Sequence, residues 1–107
     1  MSGGDWKEML VAVQMGNMDL VKYHISEGID VNYEHPELMT TALIESIQFD
    51  QLEIARLLLK HGADPSQNAW LSKDNPLTIA KQQQKNDFTQ LLKSSQKHHS
   101  FWSKLFN

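Results

Sequence analysis

Between Thr41 and Pro65 the chain shows two short apolar stripes, each followed by a stop. Leu43, Ile44 and Ile47 fall on one face of a first helix, and Leu52, Ala55, Leu58 and Leu59 form the stripe of a second. Asp50 stands between them. Gly62 follows the last apolar residue, where a helix end calls for a left-handed residue that glycine adopts most cheaply.

The pattern repeats when the register is moved by 34 residues in either direction. Met9, Leu43 and Leu77 become the inward residue of each first helix. Ala12, Ser46 and Ala80 become the small residue that lets two helices approach closely. Asp19, Glu53 and Asp87 place an acid in the first turn of each second helix, where the helix dipole favours it. Leu20, Ile54 and Phe88 open each second stripe, and Gly28-Ile29-Asp30 and Gly62-Ala63-Asp64 close the first two units. The start signals agree. Asp5 with Glu8 has the spacing of a capping box, Asn17 follows Gly16 as a cap for a second helix, and Asn75-Pro76 pairs a favoured cap with a favoured first helical residue.

Thr41-Ala42-Leu43, then Leu52-Glu53-Ile54 leading into Leu57-Leu58-Leu59, then Gly62-Ala63-Asp64, resemble an ankyrin repeat. The resemblance implies an all-α solenoid of three helix-turn-helix repeats, at about 5–34, 35–68 and 69–96, joined by extended fingers. A repeat domain over 1–96 is then followed by a short C-terminal tail helix within 97–107. A tetratricopeptide array shares the period, but the Gly-Ala-Asp closure and the long non-helical fingers fit ankyrin better. Some positions depart from the family pattern. Ile44 and Thr78 stand at its usual histidine, and Asp50 and Gln84 at its inter-helix glycine. Glutamine takes left-handed geometry poorly, so a displaced or frayed second helix is expected in repeat three. That repeat also turns polar from Lys81 to Asn86, and His24 replaces the leucine of Leu58 and Leu92 in repeat one. Both ends are therefore expected to act as polar caps, as terminal repeats require.

Composition narrows the function. The 107 residues are enough for one domain, and 40% hydrophobic content supports a modest core. A net charge of −3 gives no electrostatic reason for nucleic acid. Without cysteine, disulfides, thiolate catalysis and most zinc sites are excluded. Met1 to Asp5 carry no secretory pattern, no apolar run approaches the ~18 residues of a membrane span, and a cytoplasmic location is expected. His24, His35, His61, His98 and His99 fall in no metal-binding spacing, which leaves surface or capping roles. No catalytic motif is present, so no enzyme activity, cofactor, metal or small-molecule substrate is expected.

The resemblance implies another protein as partner, bound on the concave surface that ankyrin proteins build from finger tips and first-helix ends. The matching positions before each inter-helix turn are Gln14-Met15, Gln48-Phe49 and Gln82-Gln83. The fingers add Tyr33, Leu38, Trp70 and Leu71. Large aromatic and apolar anchors among these are the expected contact residues, so the candidate set is Met15, Tyr33, Leu38, Gln48, Phe49, Trp70, Leu71 and Gln82. Trp70 and Leu71 either project as anchors or fold back over their own finger. Docking of the tail on a membrane surface, or an enzyme without a recognisable motif, are the alternatives, and a monomer is expected.

The tail begins with a polar stretch, Ser94 to Ser100, that reads as a linker. Phe101, Trp102, Leu105 and Phe106 then share one helical face. That face can fold back on repeat three, enter a protein groove or rest on lipid. With only Lys97 and Lys104 to supply charge, contact with the domain body or a protein partner is expected rather than with lipid.

Overall fold

The computed structural model describes the backbone of residues 3–69 and 75–106 and the side chains of residues 5–69 and 75–96. Among the described residues, six helices form three antiparallel pairs: α1 (Gly3–Met15) with α2 (Met18–Ser26), α3 (Ala42–Gln48) with α4 (Leu52–Lys60), and α5 (Pro76–Gln82) with α6 (Asn86–Phe106). The first helices stack in the order α1, α3, α5, and α4 packs on α6 behind them. Among the described residues there is no strand, only a single antiparallel bridge between His35 and Thr40.

The 34-residue register is written into the backbone. The amides of Asn17, Gln51 and Lys85 donate to the carbonyls of Ala12, Ser46 and Ala80, at 2.9, 2.8 and 2.9 Å. Those acceptors belong to the small buried residues that allow the close turn. The residue just before each donor is left-handed: Gly16 at φ 74°, Asp50 at 59° and Gln84 at 56°. The second helices end alike, the amides of Ile29 and Ala63 returning to the carbonyls of His24 and Leu58 after left-handed Gly28 and Gly62.

Packing follows the stripes. Met9, Val13, Ile47, Ile54, Leu58 and Leu92 are fully buried, and the core runs without a break from Trp6 to Leu92. Each pair therefore presents its apolar surface to the next, as a repeat too small to bury its own stripe must.

Four expectations change. Helix α1 starts at Gly3, so Asp5 lies inside its first turn rather than capping it. Glu8 instead reaches across to α2, its Oε1 lying 3.1 Å from Nε2 of His24. His24 and His35 are buried rather than superficial. Glu8 supplies a partner for the His24 ring at a position where Leu58 and Leu92 need none. The second helix of repeat three is regular from Asn86 onward, because Lys85 ties its start to repeat two. Finally, the stretch from Ser94 to Ser100 is not a linker: α6 continues through it to Phe106. It is polar, yet it holds no proline or glycine to break a helix.

Candidate functional site

The fingers and the ends of the first helices are held by polar bonds between repeats. Gln14 Nε2 donates to Glu45 Oε1 at 2.7 Å, and Gln51 Nε2 donates to the Gln14 carbonyl at 3.2 Å. One repeat further on, Gln83 Nε2 donates to Gln48 Oε1 at 2.7 Å, and the Lys85 ammonium donates to the Ile47 carbonyl. Lys85 also pairs with Asp50 at 3.0 Å. Carbonyls in the last turns of α1 and α3, Gln14 in the first and Ile47 and Gln48 in the second, thus accept from a side chain of the following repeat.

The first finger is built around His35. Its Nδ1 accepts from the amides of Glu37 and Leu38 at 3.2 and 3.3 Å, its own amide donates to the Thr40 carbonyl, and its carbonyl accepts from Met39. Acting as acceptor at Nδ1 places the ring proton on Nε2. The turn forces Met39 to φ 54°. Trp6 supports the finger from α1, with ring centroids 5.1 Å from Tyr33 and 6.4 Å from His35. At the finger's root, Asn32 donates to the Gly62 carbonyl and accepts from the Asp64 amide at 2.9 and 2.7 Å. The finger is consequently anchored to repeat two rather than free to swing.

On this frame Met15 is 77% exposed, Leu38 52%, Phe49 48% and Tyr33 38%, the last leaning on Trp6. Gln48 and Gln82 are exposed polar residues, Gln48 held by Gln83. Trp70 and Leu71 lie outside the described residues. Phe101, Trp102, Leu105 and Phe106 belong to the α6 backbone, and their side chains lie outside the described set. Met39, at the tip of the first finger, is exposed as well, and so are Val11 and Tyr23, which lie outside the fingers and helix ends. For Val11 a signal existed: the equivalent residue of repeat two is Glu45.

Among the described residues no three His, Asp or Glu side chains converge to hold a metal. Among the same residues no helix is long and apolar enough to cross a membrane.

Comparison with known proteins agrees with the fold. The family model described as ankyrin repeats (3 copies) matches residues 9–101, and the chain belongs to that family. It is similar to the 2-5A-dependent ribonuclease of Homo sapiens, 39% identical over 57 residues, which is 53% of this chain and 8% of that protein. It is similar as well to the palmitoyltransferase AKR1 of Lachancea kluyveri, 41% identical over 49 residues, covering 46% of this chain and 7% of that protein. A putative ankyrin repeat protein of Fowlpox virus is 38% identical over 56 residues, covering 52% of this chain and 8% of that protein. The match therefore spans less than a tenth of each of these relatives. Ankyrin repeats are generally protein–protein interaction modules, and the fold is typically non-enzymatic.

Proposed function

We propose that this chain binds another protein through the surface formed by its first finger and the exposed ends of α1 and α3. One observation carries the reading: large apolar side chains stand exposed at the same register position in successive repeats, Met15 and Phe49, while the backbone beneath them is pinned by inter-repeat bonds. An anchor on rigid backbone loses little entropy on binding, which is where apolar contact converts best into affinity. Leu38 and Tyr33 extend the surface along the finger. Gln48 and Gln82 supply polar contacts between anchors. Depending on which face of the partner is covered, the same module acts as adaptor, inhibitor or neutralising partner.

The test is capture from the source cell with the wild-type chain and with the double variant Met15→Ala, Phe49→Ala. The reading predicts a protein held by the wild type and lost from the variant while its thermal melt is unchanged. A captured protein that the variant holds equally well would move the binding surface elsewhere.

A further inference from the structure

His24 and His35 are both buried, and they meet acid in opposite ways. His24 presents Nε2 to the Glu8 carboxylate at 3.1 Å. A second proton on that ring leaves the contact in place and makes it an ion pair. His35 presents Nδ1 to two donors, the amides of Glu37 and Leu38 at 3.2 and 3.3 Å. Its Nε2 already carries the ring proton, so a second proton has only Nδ1 to occupy. An N–H there faces two other N–H groups, and none of the three can accept. Both bonds are then lost.

The finger holds little in reserve against that loss. The His35 ring packs with its centroid 6.4 Å from Trp6 and 6.4 Å edge-on from Tyr33, so turning it away from the amides breaks this packing too. The same residue closes the turn through its backbone. Its amide donates to the Thr40 carbonyl at 3.0 Å, and its carbonyl accepts from the Met39 amide at 2.7 Å. Met39 is held at φ 54°, a strained position for a residue with a Cβ, which lasts only while the surrounding bonds determine it. The charged groups on the segments packed around the ring are Asp5 and Lys7 of α1, Glu34 and Glu37 of the finger, and Glu45 of α3. Lys7 pairs with Glu37 at 3.9 Å, and Glu45 accepts from Thr40, the residue bridged to His35. Carboxylates outnumber the lysine, so the surrounding charge draws a proton to a ring whose bonds have no place for it.

We propose that His35 is a proton-operated latch of the first finger: the neutral ring holds Glu37 to Met39 in their turn, and the protonated ring releases them. The closed finger binds the neutral form, so closure is complete at the higher pH and is lost as the pH falls. Leu38 and Met39 stand exposed on the turn that is released. Binding through the finger therefore weakens in acid, a consequence that rests on the contact surface proposed above, whereas the latch itself does not.

Nuclear magnetic resonance of the full chain, with no partner present, tests the latch between about pH 8 and about pH 5, the range in which histidine changes charge. The ring nitrogen shifts of His35 should report one proton at the upper end and two at the lower. Over the same range the exchange protection factors of the Glu37 and Leu38 amides should fall at least ~10-fold. Those of Ile29 and Ala63, which close α2 and α4, should hold. His35→Asn supplies a side-chain oxygen that accepts from nearby amides and does not titrate, so its turn should stay protected at both ends of the range. His24→Leu should leave the wild-type response unchanged. A His35 ring that gains its second proton while Glu37 and Leu38 stay protected overturns the proposal, as does a ring that stays neutral throughout. So does a loss of protection shared by Ile29 and Ala63, or a response that a folded His35→Asn chain retains or that His24→Leu abolishes. The wild-type readings decide the matter by themselves where His35→Asn does not fold, and none of them depends on where a partner binds.

Discussion

At the scale of single residues, burial separates side chains that hold the stack from those available for contact. Leu58 and Leu43 are buried between helices, and truncating either to alanine leaves a cavity expected to cost ~2–5 kcal/mol in urea unfolding. Phe49→Ala, at a half-exposed helix end, should change stability by less than ~1 kcal/mol. His24 is a different case. Its ring is buried with one partner, Glu8, whose carboxylate is largely in water. His24→Leu restores the residue found in repeats two and three and leaves Glu8 solvated, so the melting temperature should rise. A fall would mean that the Glu8–His24 contact holds α1 on α2 more firmly than apolar packing can. Trp6 carries a cost of its own, since its buried Nε1 has no hydrogen-bond partner among the described residues. The ring's packing under Tyr33 and His35 is what it contributes in return.

At the scale of elements, the inter-helix turns test how far packing overrides local preference. Gly16, Asp50 and Gln84 share one left-handed conformation, and only the first is glycine. A left-handed non-glycine residue is strained by ~1–2 kcal/mol, and glycine returns part of that gain through its freer unfolded chain. Gln84→Gly, at an exposed side chain, should therefore stabilise by ~0.5–1 kcal/mol. Gly16→Ala should destabilise by ~1–2 kcal/mol, because its Cβ would take the strained conformation and lie 2.9 Å from Gln51 Oε1. The displaced amide is the one that caps the Gln14 carbonyl. Reading from sequence succeeded where the signal was local and periodic: the helix pairs, the buried small residues and the glycine closures. It failed where a distant contact decided the outcome. Nothing near Gln84 announces that Lys85 will reach back to Ile47 and Asp50 and hold the turn. The polar run from Ser94 to Ser100 belongs to α6, because polarity alone reports exposure and not the absence of a helix.

At the scale of the whole molecule, three small repeats share one core, and each is covered in part by its neighbour. Unfolding should accordingly be a single cooperative transition by both helical circular dichroism and Trp6 fluorescence, the latter measured in a variant lacking the other two tryptophans. Two separated transitions would show that one end unit folds and melts independently. The ends were legible only in part. The polar stretch from Lys81 to Asn86 lies at the surface as its composition implies, with Lys85 half-buried, whereas His24, read as a polar end residue, is buried beside Glu8. The candidate binding residues were named by register, since spacing places Met15 and Phe49 at equivalent helix ends. Their degree of exposure required the packed structure. The claim that the first finger and inner-helix ends form the contact surface is tested most directly by hydrogen exchange on the chain with and without its captured partner. The account predicts added protection over Tyr33–Thr40 and at the C-terminal turns of α1 and α3, with α2 and α4 unchanged. Protection confined to α2 and α4 would contradict it.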